Sequence, residues 1–235
     1  VARDDCAAAL ANPLPSLAEL AEARGLKTGI VSTARITHAT PAGSFAHAAN
    51  RNWEDSASLP PEAKAAGCKD IAQQLLDTPY GDGPDVILGG GRAHFLPDSV
   101  VDPEHSKKTG KRDDGRNLIE KWLQSRSGRE YVWNRQDFLA LSERRAKGEG
   151  SNGQVMGLFE PSHMQFEADR ANDPAGEPSL LEMTQFALAE MQKADQGYFL
   201  LIEAGRIDHA HHGSNAYRAL VDTVALSEAA QWVTD

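Results

Sequence analysis

Tyr198-Phe199-Leu200-Leu201-Ile202-Glu203, followed by Ala204-Gly205-Arg206-Ile207-Asp208-His209-Ala210-His211-His212, is the stretch whose reading decides the fold. Its first six residues form an apolar run ending in one carboxylate. That is the pattern of a strand buried on both faces, with Glu203 at its C-terminal end. Gly205 allows the chain to turn. Asp208 and His212 are four apart, so on a helical turn they share one face. Carboxylate oxygens and imidazole nitrogens are donors for zinc and magnesium. The C-terminal edge of a parallel sheet is where α/β proteins hold ligands. Glu203, Asp208 and His212 are therefore candidate metal ligands that converge on one place, with His209 and His211 in supporting or structural roles.

Working outward, four further strands are predicted at Lys27 to Thr33, Asp85 to Leu88, Tyr131 to Trp133 and Gln154 to Phe159. Helices are predicted from Leu17 toward Gly25 behind Ser16, then over Ala63–Leu76, Leu118–Ser125, Arg135–Lys147, Pro178–Lys193 and Ser214–Val233. Thr40 as an N-cap with Pro41 at the first helical position predicts another helix, reaching about Arg51. Residues 1–14, 96–116 and 160–177 read as irregular or loop. The alternation implies one α/β domain over residues 1–235, a three-layer sandwich with a mostly parallel central sheet and helices on both faces.

Composition narrows the function. Asp and Glu outnumber Lys and Arg by 34 to 24, a formal charge of −10, and no basic run stands out, which argues against nucleic-acid binding. No apolar run approaches the ~20 residues of a membrane-spanning helix. Cys6 and Cys68 are either two free thiols, as in a cytosolic protein, or one bridge, as in an exported one; composition leaves both open.

Gly89-Gly90-Gly91-Arg92 lacks the spacing of phosphate-binding and dinucleotide-binding loops and reads as a tight structural turn. Asp55-Ser56-Ala57-Ser58 places a Ser beside an acid, but in a polar segment that reads as a solvated loop. His38 and Thr40 follow the strand 27–33, which a parallel sheet would bring near Glu203. Arg51, if it faced the same place, would offer a guanidinium fork to an oxyanion.

Thr33 to Trp53, Asp85 to Arg92, Met156 to Pro161 and Phe199 to Leu220 together resemble the alkaline phosphatase family, most closely the branch with the animal enzymes. The resemblance implies hydrolysis of phosphate monoesters with two zinc ions and one magnesium. A Ser attacks phosphorus, and zinc-bound hydroxide then cleaves the phosphoserine. It implies that Thr40 and Glu203 bind magnesium, that Asp208 and His212 bind one zinc, and that Arg51 grips the phosphate. His38 and His209 match a pair that stands beside the magnesium without binding it. It further implies a Cys6–Cys68 disulfide, a periplasmic or secreted protein and a homodimer; it does not decide membrane association. Animal-type members carry a peripheral calcium site, matched here by Glu104, Glu160, Glu177 and the backbone carbonyl of Phe159.

The family's nucleophilic Ser, the early Asp bridging magnesium and zinc, and the remaining zinc ligands have no counterpart in these residues. The expectation is the middle portion of a longer chain, inactive alone. The alternatives are a non-catalytic metal-binding domain of the same fold, or a related phosphotransfer or sulfatase-type metalloenzyme.

Overall fold

Side chains along the central strands alternate between two cores. Ile30, Ile87, Met156 and Leu158 point into one apolar cluster, whereas Val31, Val86, Leu88 and Val155 point into another. That period of two requires cover on both faces of the sheet. The computed structural model describes residues 2–234, and among them the elements in chain order are α1 (Cys6–Ala11), α2 (Leu17–Glu22), β1 (Lys27–Arg35), α3 (Ala39–Ala42), α4 (Pro61–Ala65), α5 (Ile71–Leu76), β2 (Val86–Gly90), α6 (Leu118–Ser125), β3 (Glu130–Val132), α7 (Arg135–Ala146), β4 (Val155–Leu158), α8 (Leu180–Met191), β5 (Tyr198–Glu203), α9 (Arg206–His212) and α10 (Ala216–Thr234). The first core is closed by Ile71 and Leu75 of α5 and by Leu118, Ile119 and Trp122 of α6. The second is closed by Phe138 and Leu141 of α7, by Leu180, Met183, Phe186, Ala187 and Met191 of α8, and by Ala229 of α10. This is the expected three-layer α/β sandwich.

The five strands are all parallel, in the order β3-β4-β2-β1-β5. After β1 the chain leaves toward the first core through Ala42 and Phe45. After β5 it reaches the second core through α10. The connections from two neighbouring strands thus depart to opposite faces, opening a crevice at their C-terminal ends. Ser32 and Glu203 are register partners at that edge.

Several local expectations are corrected. Strand β5 is not buried on both faces: it is the sheet edge, with β1 as its only strand partner among the described residues, and its residues are exposed or half-buried. The helix expected to reach Arg51 stops at Ala42, where Gly43 caps it; His38, not Thr40, holds the N-cap position. Ala63–Leu76 is two helices because Gly67, at φ +88°, turns the chain and Asp70 then caps α5 afresh. Residues 6–11 are helical, started by Asp5 accepting the Ala8 N–H at 2.9 Å. Helix α8 begins as read from its sequence, with a reciprocal capping box between Ser179 and Glu182. Gly89 and Gly90, expected in a tight turn, lie in β2; a Cβ on Gly90 would lie 2.2 Å from the Ser162 carbonyl oxygen, and the turn comes at Gly91, at φ +98°.

Candidate functional site

The β1–β5 edge is built by short-range devices. Ser32 Oγ donates to Glu203 Oε2 at 2.5 Å and accepts the Ala34 N–H at 2.9 Å, which fixes where the carboxylate points. The Arg206 N–H donates to Thr33 Oγ1 at 3.2 Å and pins the start of α9 to β1. The same turn brings Gly205 so close that a Cβ would lie 2.8 Å from the Ala34 Cβ. His38 after β1 and His209 on α9 therefore meet, with ring centroids 5.4 Å apart. His163, from the segment after β4, completes a trio at 5.0 Å from His38 and 4.1 Å from His209.

Three guanidinium groups face these imidazoles. Arg51 Nη2 is 3.0 Å from His38 Nε2, Arg206 Nη1 is 3.2 Å from His209 Nδ1, and Arg35 Nη1 is 2.5 Å from His163 Nε2. Burial, then the neighbouring positive charges, depress all three histidines. His209 falls to about 4, and His38 and His163 also lie below the ordinary imidazole value. At neutral pH the rings are uncharged and accept from the arginines. The donor nitrogens of His38, His163 and His209 lie within 4.8 Å of one another. Because guanidinium donors already face the rings, the three arginines with the uncharged trio between them read as a cationic wall suited to an anion rather than as a cation's ligand set. Arg35 is partly neutralised by Glu54 at 2.7 Å.

Asp208 and His212 do share one face of α9, Oδ2 to Nε2 at 3.5 Å, and both side chains are mostly exposed at 69% and 79%. Thr40 is exposed on α3, which packs near β5. Arg51 is exposed in a turn. The edge thus gathers Glu203, His38, His209 and Arg51, and carries Thr40, Asp208 and His212 on the segments that leave it. A carboxylate, a hydroxyl and a carboxylate–imidazole pair are chemically suited to a hard cation and to zinc respectively.

A second constellation lies around the loop 160–177. Gln165 donates from its backbone N–H to Glu177 Oε1 and from its side chain to Glu160 Oε1, each at 2.9 Å. The Ala175 N–H donates to Glu104 Oε1 at 3.3 Å. Asp173 lies among these acids. Burial and then the charges of Glu160 and Asp173 push Glu177 up to about 9. Burial and then Asp173 raise Glu104, and burial and then Glu160 raise Asp173. Crowded, desolvated carboxylates of this kind are a hard-cation donor set. The pocket is anchored by Arg92, 1% exposed, which makes two 2.8 Å bonds to Asp102 and one of 3.2 Å to Glu104.

Sequence reasoning missed His163, His105 and Asp173. For His163 a signal existed: a titratable residue shortly beyond a strand end points at the functional edge. Asp173 sits in a polar loop with no periodicity to mark it. The Asp55–Ser58 segment is corrected in part: Ala57 and Ser58 are exposed, but Asp55 and Ser56 are buried rather than solvated, with Asp55 Oδ2 2.7 Å from His94 Nδ1 and Ser56 Oγ accepting the Asp113 N–H at 3.0 Å. Cys6 and Cys68 are joined in a disulfide with Cα atoms 6.0 Å apart, tying α1 to the segment before α5. Its loop spans 62 residues, for which loop-closure entropy gives about 4 kcal/mol.

The family model for alkaline phosphatase matches residues 5–235. A membrane-bound alkaline phosphatase of Bombyx mori is 42% identical over 242 residues, covering 100% of this chain and 42% of that protein. The tissue-nonspecific isozyme of alkaline phosphatase from Gallus gallus is 41% identical over 237 residues, covering 97% of this chain and 43% of the relative. The crystal structure of Thermus thermophilus alkaline phosphatase superposes with a TM-score of 0.69 at 29% identity, over 93% of this chain and 37% of that one. The chain spans less than half the length of the curated relatives it matches.

Proposed function

The chain belongs to the alkaline phosphatase family, and from that premise we propose that its β1–β5 edge is one wall of a phosphate monoesterase centre. The observation that carries the proposal is the meeting of Glu203, the His38–His209 pair and Arg51 at the C-terminal end of two adjacent parallel strands. Thr40 and Glu203 would hold magnesium, and Asp208 and His212 would supply two ligands of one of two zinc ions. When bound, these ions would supply concentrated positive charge against the phosphoryl group.

The chain's own residues do the rest. Ser32 holds Glu203 in one orientation through its 2.5 Å hydrogen bond. Arg51 keeps one guanidinium nitrogen on His38 and, being exposed, has the others free for phosphate oxygens. The uncharged imidazoles of His38 and His209 space the arginines without adding charge of their own. Phosphoryl transfer depends chiefly on positioning and charge neutralisation, and a wall of fixed donors supplies both.

The acidic pocket of Glu104, Glu160 and Glu177, with the Phe159 carbonyl, is read as a peripheral calcium site, supported by the raised carboxylates and their mutual proximity. The disulfide favours an oxidising compartment, periplasmic or extracellular. No described helix is long and apolar enough to cross a membrane.

The test uses the full-length protein stripped of metal. Zinc and magnesium together should restore hydrolysis of a phosphate monoester. Activity restored only toward a sulfate monoester would move the assignment to the sulfatase-type reading. Metal uptake without hydrolysis of either ester would favour a non-catalytic metal-binding domain.

A further inference from the structure

We propose that His163 is a positioning residue for phosphate binding: through the His38 ring it holds Arg51 in place. The inference rests on the reading of Arg51 as the phosphate grip. It gives a role to a histidine that the proposed centre does not otherwise use.

Arg51 is exposed in a turn, and its guanidinium Nη2 meets His38 Nε2 at 3.0 Å. A long exposed side chain samples many rotamers. Holding it in one geometry before the anion arrives lowers the entropy lost on binding. His38 can hold Arg51 only if its own ring is fixed. The cover on that ring is aromatic: His163 meets it at 83° with centroids 5.0 Å apart, and His209 at 70° with centroids 5.4 Å apart. Edge-to-face contacts of this spacing orient a ring as well as cover it.

His163 is itself anchored on both flanks. The Ser162 carbonyl accepts the Gly91 N–H at 2.7 Å, and the Met164 N–H donates to the Thr33 carbonyl at 3.1 Å. The residues on either side of His163 are thereby tied to the ends of β2 and β1. Both ring nitrogens face Arg35, Nδ1 at 3.2 Å from the backbone N–H and Nε2 at 2.5 Å from Nη1. Burial and then the charge of Arg35 hold the imidazole below its ordinary value, so at neutral pH the ring is uncharged. Either tautomer then leaves one nitrogen accepting from Arg35.

Arg35 is clamped in turn. Its Nε and Nη2 donate to the two oxygens of Glu54 at 2.8 and 2.7 Å, and Thr37 Oγ1 donates to Glu54 Oε2 at 2.6 Å. Glu54 is 8% exposed. Glu54, Arg35, His163, His38 and Arg51 therefore form a continuous strut from a buried ion pair to an exposed guanidinium. Removing the His163 ring leaves Glu54 and Arg35 paired but takes away a face against which His38 stands. The loss should appear in phosphate binding and should pass through Arg51.

The experiment is a double-mutant cycle in the full-length protein loaded with zinc and magnesium, read by calorimetric titration with inorganic phosphate and by metal analysis. Arg51→Ala should weaken phosphate binding by roughly 10- to 100-fold. His163→Ala should weaken it by roughly 10-fold with zinc and magnesium content unchanged. In the double variant the two factors should not multiply. Phosphate should bind within about threefold of Arg51→Ala alone, because a residue that acts through Arg51 has nothing left to position. Multiplying factors, or phosphate affinity in His163→Ala within about twofold of wild type, would overturn the inference and leave the phosphate grip standing. Loss of bound metal in His163→Ala would overturn it too, since His163 would then act on the metal ions. Unchanged phosphate affinity in Arg51→Ala would overturn the grip itself and the inference with it. Urea unfolding verifies that each variant folds. Should His163→Ala fail, His163→Gln, which keeps an acceptor for Arg35 but has no ring, is read in its place with the same outcomes.

Discussion

The edge at α9 and the acidic pocket are both rich in metal donors, yet they are built in opposite ways. At α9, Asp208 and His212 stand on one short helix with their side chains 69% and 79% exposed. In the pocket, Glu104 comes from the segment 96–116 and Glu160 and Glu177 from the two ends of the loop 160–177, and they are held by backbone N–H groups, by Gln165 and by a buried arginine. The first region offers two zinc donors at the surface, whereas zinc sites in proteins use three or four. The second is closed by its own surroundings and already shows raised carboxylates. On the proposed reading, an exposed pair of ligands would be dispensable for folding and would act on the chemistry, whereas a buried cluster would couple metal binding to stability.

That contrast breaks hardest at Arg92. Arg92→Met would leave Asp102, 4% exposed, without its counter-charge, and should cost roughly 3–5 kcal/mol of unfolding free energy in urea titrations. A loss under 1 kcal/mol would mean that the pocket is not anchored by that pair. Asp208→Ala should do the reverse. In the full-length protein it should lower zinc content and reduce kcat/KM by more than the roughly 100-fold typical of residues that only support a ligand, while stability moves by no more than about 0.5 kcal/mol. Retention of both zinc and rate would remove Asp208 from the site. Arg51→Ala should leave metal content intact and lower kcat/KM by roughly 10- to 100-fold, the worth of a charge-assisted hydrogen bond; an equal fall in bound metal would show Arg51 acting through structure instead.

A smaller effect sharpens the comparison by removing a confounder. Glu22, remote from the metal donors in sequence, takes a hydrogen bond from Thr28 Oγ1, and its carboxyl is pushed up to about 7 by burial and then by Asp85. Its folded-state value exceeds the ordinary 4.5, so its contribution to stability is present below that value and is lost as pH rises through 7. One such proton is worth at most about 1.4 kcal/mol per pH unit. Glu22→Gln should flatten the fall in urea midpoint between about pH 5 and pH 7.5. A wild-type slope that persists in the variant would have to come from other carboxyls, the pocket's among them.

Much of the fold was legible because its signals are local and periodic. The apolar runs at 27–33, 85–88 and 154–159 needed no partner to be read as strands, and Pro178 marks the start of α8 to within two residues. The interrupted helix at 63–76 was not legible, because a helix-compatible pattern runs across Gly67 and only the fold makes that glycine a turn. At the site, Glu203, Asp208 and His212 announced themselves by clustering in sequence. His163 did not, since it meets His38 from across two strands, nor did Asp173, which meets Glu160 and Glu104 only once its loop has folded.

The amino-acid sequence by itself determined the alternation of strands and helices and the donors strung along residues 203–212, since propensity, period and spacing act between residues close in the chain. Only the tertiary structure decided that β5 is an edge strand, that three imidazoles face three guanidiniums, and that Glu104 and Glu160 meet beside the buried Arg92. Those outcomes depend on which strand lies beside which and how much water is left between them, and neither quantity is written in any short stretch of sequence.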